Sequence, residues 1–396
     1  MYSQDLDIKG HRFRIELVTA ADGSASAVCA RAADAGGGIA PETDPAAVLL
    51  RSALIGHADL VRTGTDQPQK TAAAENTERH VLGYVADGAS GEQCRTAVED
   101  ARRRLAGLLA PAAAVAAGAS DVPEGCVNLL WWDERANFGD AVGPWLVRRL
   151  TGRTPVNGWR RNLSVPPLAA VGSTAGWLEQ DGTRVWGAGL MAPLAPDAVK
   201  RLAGLSGIRI HAVRGELTGA ELRSQLGWTV PEVHGDPALL LPRFLSVPDG
   251  QASQGKVAVL PHLDHRGLFG NPLASREDGD LVHNIDARQG LERVVREIAA
   301  ARVCISSSLH GIIVAQAYGV PWVWVRIEDA LIAGDTFKFR DFFTTLDSSA
   351  VSAVSITAAE ARAMDPTALA RKATLPRLKI SLDALLAAFP LPLKAY

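Results

Sequence analysis

The stretch at residues 302–325, Arg-Val-Cys-Ile-Ser-Ser-Ser-Leu-His-Gly-Ile-Ile-Val-Ala-Gln-Ala-Tyr-Gly-Val-Pro-Trp-Val-Trp-Val, leaves few options for what this chain folds into. Residues 303–305 form an apolar run too short for a helix and bounded by small polar residues, the pattern of a buried parallel strand. Ser306, Ser307 and Ser308 follow, and serine is a favoured residue at a helix start. Ile312, Ile313, Val314, Ala315 and Ala317 fill the helix, Gly319 stops it, and residues 320–325 form the next strand. This is a β-α-β unit of minimal length. Open α/β sheets bind ligands at such strand-to-helix turns, where unpaired N–H groups and the helix dipole favour a phosphate or carboxylate. Three hydroxyls and His310 sit within one turn of that point. A serine-rich cap with a structural histidine fits the pattern equally well.

Elsewhere the chain repeats this grammar. At 396 residues there is room for two or three domains. Residues 1–120 read as a small α+β accessory module. Its strands are expected at 11–18, 26–32 and 80–86 and its helices at 46–60 and 91–109. Glycines 36–38 and residues 63–77 read as loops, and an alanine-rich joint covers 112–119. A strand at 126–132 opens an α/β domain over 121–245, with further strands at 169–171, 184–186 and 208–213. A Pro/Gly/Ser-rich linker at 244–256 leads to a second α/β domain over 246–345, and helices fill 346–396. Two such domains suggest facing strand edges with a cleft between them.

Composition narrows the function classes. The net charge of −2 gives no argument for nucleic acid or an anionic membrane surface. The four cysteines are far apart and form no C-x-x-C pair, so zinc-ribbon and thioredoxin-type sites are unsupported. Neither a signal peptide nor an apolar run long enough to span a membrane is found, so a cytoplasmic protein is expected. His262, Asp264 and His265 are metal-type residues, but no third strong ligand lies near them in sequence, and no metal is expected. At the first strand-to-helix turn Gly139 allows close approach of a ligand and Asp140 can cap the helix; a capped helix and nothing more fits the pattern equally well. Asp236, before Pro237, is either a turn residue or a second carboxylate.

Taken in order, Asn137-Phe-Gly-Asp140, Val213-Arg-Gly-Glu-Leu-Thr218, His234-Gly-Asp-Pro-Ala238, the segment from Ser306 to Ala315 with Tyr318-Gly-Val-Pro321, and Lys338-Phe-Arg-Asp341 resemble the polysaccharide pyruvyl transferase family. The Asn-Phe-Gly-Asp form is similar to its exopolysaccharide ketal-pyruvate branch. The resemblance covers roughly residues 126–345. It implies two Rossmann-like domains facing a cleft, as in the GT-B glycosyltransferases. It also implies an enzyme: phosphoenolpyruvate gives its enolpyruvyl carbons to two hydroxyls of a sugar, forming a cyclic pyruvate ketal and releasing phosphate. Phosphoenolpyruvate is then a donor substrate and no cofactor is needed. The expected partner is a saccharide or lipid-linked saccharide acceptor, which leaves room for peripheral membrane association.

The family's histidine maps onto His310, suited to acid-base work. Its early arginine maps onto Arg214, a bidentate clamp for the donor. Many members carry an arginine two residues before the histidine; here that position is Ser308, and Lys338 or Arg340 is the expected source of the missing charge. Asn137 and Asp140 would face the sugar. Two other readings suit the same architecture: a glycosyltransferase using a nucleotide sugar, and a non-catalytic saccharide-binding protein.

Overall fold

In the computed structural model, the residues described are 3–19, 26–33, 44–54, 80–85, 90–247, 255–269 and 282–394. The glycine triplet at 36–38, the polar stretch 63–77 and the middle of the 244–256 linker lie outside them. The chain divides into two compact units, one made of residues 1–128, 132–136 and 153–165, the other of 129–131, 137–152 and 166–396.

The first unit carries β1 (Ser3–Ile8), β2 (His11–Thr19), β3 (Ser26–Ala33), α1 (Pro45–Leu54), β4 (His80–Val85) and α2 (Gly91–Ala116). The four strands form an antiparallel sheet in sequence order. Phe13, Ile15, Leu50, Leu105 and Leu109 are among the residues of its core. Two elements differ from the sequence reading. β1 is an additional strand, hidden in a polar hexapeptide of which only Leu6 is buried. The alanine-rich segment expected to be a joint continues α2 through Pro111 to Ala116. Buried Ala113 and Val115 pack that last turn against other residues of the first unit, so packing outweighs the hydrogen bond that proline cannot donate.

The chain continues through β5 (Cys126–Leu130), α3 (Phe138–Thr151), β6 (Thr154–Asn157), β7 (Leu168–Ala169), β8 (Arg184–Trp186), α4 (Pro196–Ala203), β9 (Arg209–Ala212) and α5 (Glu216–Leu226). Within the second unit, β7 pairs in parallel with β5 through Leu129–Leu168 and with β8, and β8 pairs with β9. Next come β10 (Val257–Leu260), β11 (Val282–Asn284), α6 (Leu291–Ala299), β12 (Val303–Ser306), α7 (Leu309–Ala317), β13 (Trp322–Ile327), α8 (Asp335–Phe343) and β14 (Ala353–Ile356). These five strands make a parallel sheet in the order β11-β10-β12-β13-β14. The second unit is therefore a mixed α/β body built on parallel sheets. Three short helices close it: α9 (Ala358–Ala363), α10 (Pro366–Ala370) and α11 (Leu382–Ala387).

Strand and helix positions follow from burial. β10 and β12 are buried along their whole length, as near-continuous apolar runs in a parallel sheet must be. Ile312, Ile313 and Val314 of α7 have no exposed surface. Val259, Ile305, Val323 and Val325 join Ala361 and Leu369 of α9 and α10 in one core cluster. A capping box of Thr357 and Glu360 starts α9. The sequence after Val325 reads as a loop leading to residues 338–342, whereas residues 335–343 form the helix α8. It lacks a side-chain cap and starts from a left-handed Gly334, so its signal is not local. Stacking of Phe339 on Trp324 at 4.6 Å and of Phe343 on Trp322 at 5.8 Å fixes it against β13.

Candidate active site

The carboxyl ends of the strands in the second unit gather the predicted residues. After β5 the chain turns into α3, and Asn137 caps that helix by accepting from the Gly139 N–H at 3.3 Å. Its amide donates to Asp140 Oδ2 at 2.5 Å. Asn137, and not Asp140, is thus the cap, while Asp140 sits in the first turn, where the helix dipole favours a carboxylate. Gly139 has a steric reason to be glycine: a Cβ there would lie 2.3 Å from His310 Nδ1. The start of α3 is therefore in van der Waals contact with the imidazole.

His310 lies in the first turn of α7 with its side chain 12% exposed. Its Nε2 is 3.9 Å from Asp236 Oδ2. That is beyond hydrogen-bond length, and both atoms are buried without a hydrogen-bond partner. Asp236 is fully enclosed, and its other oxygen accepts from the Ala238 N–H at 2.9 Å. It caps the turn before Pro237, and its second oxygen faces His310. Burial pushes the Asp236 carboxyl up to about 6, opposed by the Ala238 N–H and the Arg214 charge. Burial pushes His310 down to about 3, and the charges of Arg214, Lys338 and His262 act in the same direction. Both members of the pair are thereby driven towards their neutral forms.

Two cations lie in range of this pair. Arg214 follows β9 and is fully buried; its Nε donates to Asp341 Oδ2 at 2.9 Å, Nη1 to Ser173 Oγ at 2.9 Å and Nη2 to the Leu190 carbonyl at 2.6 Å. Gly189 makes room for it, since a Cβ there would be 2.3 Å from the guanidinium carbon. Asp341 also accepts from the Thr218 N–H and hydroxyl at 2.8 and 2.7 Å. The guanidinium is thus held by protein on three sides, and it acts on His310 and Lys338 through its charge. Asp341 and Ser173 were not singled out in the sequence. They are 127 and 41 residues from Arg214, and only the occurrence of Asp341 at the end of the Lys-Phe-Arg-Asp motif hinted at it.

Lys338, on the first turn of α8, is 6% exposed. Burial pulls its ammonium down to about 8, as does Arg214, against the pull of Asp140, Asp264 and Asp335. Arg340, two residues on, is exposed and does not join this buried group. The three serines divide their work. Ser306 Oγ donates to the Leu260 carbonyl at 2.7 Å and accepts from the Ser308 N–H at 3.0 Å. Ser307 Oγ accepts from the His262 N–H at 3.0 Å. Ser308 is the N-cap residue of α7, but its hydroxyl makes no capping bond. Among the described residues no group of three or more His, Cys, Asp or Glu is placed to hold a metal ion.

His310 and Asp236 are thus a buried imidazole and a buried carboxyl within the electrostatic reach of two buried cations, a combination of perturbed groups typical of functional sites. Residues 185–329 match the family model for polysaccharide pyruvyl transferase. The succinoglycan biosynthesis protein ExoV of Rhizobium meliloti (strain 1021) is 28% identical over 236 residues, covering 54% of this chain and 63% of that one. The uncharacterized protein L143 of Acanthamoeba polyphaga mimivirus is 26% identical over 134 residues, covering 34% of this chain and 47% of that one. The chain thus spans less than two thirds of the length of either relative. No solved structure matches it. No described helix is long and apolar enough to cross a membrane.

Proposed function

We propose that the protein transfers a pyruvyl group from phosphoenolpyruvate to two hydroxyls of a saccharide, forming a cyclic ketal and releasing phosphate. Two Rossmann-like halves of GT-B type would carry the site. The observation that supports this most is the His310–Asp236 pair beside Lys338 and Arg214, inside or next to the segment matched by the family model. Asp236 keeps its proton up to about pH 6 while His310 is neutral above about 3, and closing the 3.9 Å gap to hydrogen-bond length would let that proton pass to the imidazole as a shared proton. His310 is the more exposed partner and faces the substrate, with Asp236 enclosed behind it.

In this mechanism His310 gives the shared proton to the methylene carbon, which becomes a methyl group. Asp236 is left as the carboxylate. The first sugar hydroxyl attacks the neighbouring carbon, and its proton returns to the pair through His310. The bond from that carbon to phosphate oxygen then breaks, the second hydroxyl attacks, and its proton leaves with phosphate. Lys338 holds the donor anion in place of an arginine at position 308, and Arg214 adds charge from behind. Asn137 and Asp140, at the start of α3, face the acceptor sugar.

The test is incubation of the protein with phosphoenolpyruvate and saccharide diols. Release of phosphate, with the acceptor gaining the mass of pyruvic acid less water, supports the proposal. His310→Ala is expected to lower the rate by about 100- to 10,000-fold. Release of a nucleoside diphosphate from a nucleotide sugar, with phosphoenolpyruvate inert, refutes it in favour of glycosyl transfer.

A further inference from the structure

His265 and Ser307 form a relay whose direction can be worked out from hydrogen-bond chemistry alone. His265 is 3% exposed and Ser307 1%. His265 Nε2 is 2.7 Å from the Ala330 carbonyl. A carbonyl only accepts, so Nε2 carries the proton. Nδ1 of the neutral ring is then an acceptor, and the Ser307 hydroxyl, 2.9 Å away, donates to it. The same oxygen accepts the His262 N–H at 3.0 Å. With both ring nitrogens occupied, His265 is not available as a metal ligand.

These groups belong to three segments. His262 and His265 follow β10, Ser307 follows β12, and Ala330 follows β13. The three strands are adjacent, β12 lying between β10 and β13, so the relay runs along the carboxyl edge of one sheet. Each end leads to a reacting group. Ser307 immediately precedes Ser308 at the start of α7, whose first turn carries His310. Ala330 lies in the connection to α8, whose first turn carries Lys338. That connection is also seated at its far end, where a Cβ on Gly334 would be 2.3 Å from the Met191 carbonyl.

We infer that His265 and Ser307 are positioning residues for the transfer reaction: their relay sets the first turn of α7, with His310, against the segment that delivers Lys338. This rests on the reading of His310 and Lys338 as the acid-base and donor-holding groups. Neither relay residue needs to touch a substrate.

The experiment compares wild type, His265→Ala, Ser307→Ala and His265→Gln. Folding is checked by circular dichroism and Tm, and histidine ring nitrogens are followed by 15N NMR. Glutamine places an amide N–H near the position of Nε2 and can still donate to Ala330. Expected are a wild-type His265 protonated on Nε2 and displaced His310 ring signals in folded His265→Ala. The kcat/KM for phosphoenolpyruvate should fall by about 100-fold in that variant, the scale of a misplacement of about 1 Å. His265→Gln should recover most of the loss. If His265→Ala does not fold, Ser307→Ala and His265→Gln carry the same comparison. A proton on Nδ1 of His265, or folded variants with wild-type kcat/KM and unmoved His310 signals, would overturn the inference. If the wild type transfers no pyruvyl group, the functional reading fails alone, and the NMR decides the relay: displaced His310 signals uphold it and unmoved ones sink it.

Discussion

Replacing Asp236 by asparagine tests the charge state on which the mechanism depends. The buried carboxyl is raised from its ordinary 3.8 to about 6, with burial as the main cause. A folded-state pKa above the unfolded one means that the folded protein holds the proton more tightly. The stabilisation this gives is fully present below pH 3.8 and is lost as pH rises through about 6. The full loss is about 3 kcal/mol, at about 1.4 kcal/mol per pH unit. Asparagine removes the titration and keeps the Oδ1 acceptor for the Ala238 N–H. Its amide meets no acceptor at hydrogen-bond distance, a constant penalty of about 1–2 kcal/mol.

The difference in stability between Asp236→Asn and wild type should therefore move in favour of the variant as pH rises. About 2 of the 3 kcal/mol fall between about pH 4.5 and pH 7.5. His310, pushed down to about 3, stays neutral over that window and drops out of the difference. Paired calorimetric scans at several pH values measure it, with a relative Tm change on the order of 4 °C across the window for a unit of this size. A difference that is flat with pH, or that moves against the variant, would show that Asp236 is ionised when folded. The shared proton, and with it the source of the proton given to the methylene carbon, would then be lost to the argument.

Four further outcomes are expected. Gly139→Ala puts a methyl group 2.3 Å from His310 Nδ1 and should cost about 1–3 kcal/mol in stability while displacing the imidazole; wild-type turnover in that variant would show that the contact does not set His310. Asp341→Asn leaves the enclosed Arg214 charge without its carboxylate and should cost about 3–5 kcal/mol by denaturant titration, whereas a loss under about 1 kcal/mol would mean that Ser173 and Leu190 suffice. Because Asp236 must hold the shared proton, kcat/KM should decline as pH rises through about 6 and again through about 8 as Lys338 loses its proton; a profile rising over that range contradicts both roles. Lys338→Met should raise the KM for phosphoenolpyruvate at least about 10-fold with kcat less affected, as removal of a donor contact does.

The parts of this protein that could be read in its sequence are those whose physics is local. Val303–Ser306, Leu309–Ala317 and Trp322–Ile327 are a strand, a helix and a strand because an apolar run, a set of hydroxyls and a glycine say so within a few residues. The family motifs also placed Arg214, Asp236 and His310 on one list, and in the folded chain Arg214 lies within electrostatic reach of the other two. What escaped depends on distant partners. α8 is a helix because Phe339 and Phe343 stack on the tryptophans of β13, and no cap or periodic signal marks it. Asp341 matters through Arg214, and His265 through Ser307 and Ala330, at separations of 127, 42 and 65 residues. Spacing in a single sequence carries no trace of such pairings. The same holds for Pro111, which would end an isolated helix but here lies inside α2.

The buried charges of this pocket also argue for an anionic ligand. Lys338 is 6% exposed, and its ammonium is pulled down to about 8 by burial and by Arg214. A core selected for stability alone would do better with an apolar residue there, because a desolvated ammonium costs several kcal/mol that modest nearby charges do not recover. An anion that entered beside Lys338 and the start of α7 would reverse that balance, and its binding would appear as stability. At a concentration 100 times its Kd, a ligand adds about 2.7 kcal/mol to the folded state. Thermal melts with phosphoenolpyruvate, inorganic phosphate, UDP and GDP added separately should therefore show a clear rise with phosphoenolpyruvate. Lys338→Met should start from an equal or higher Tm and lose that rise. A shift produced only by a nucleotide would assign the same cations to a nucleotide sugar. A phosphoenolpyruvate shift that persists in Lys338→Met would move the donor away from α8 and return the search to the helix starts at Phe138 and Leu309.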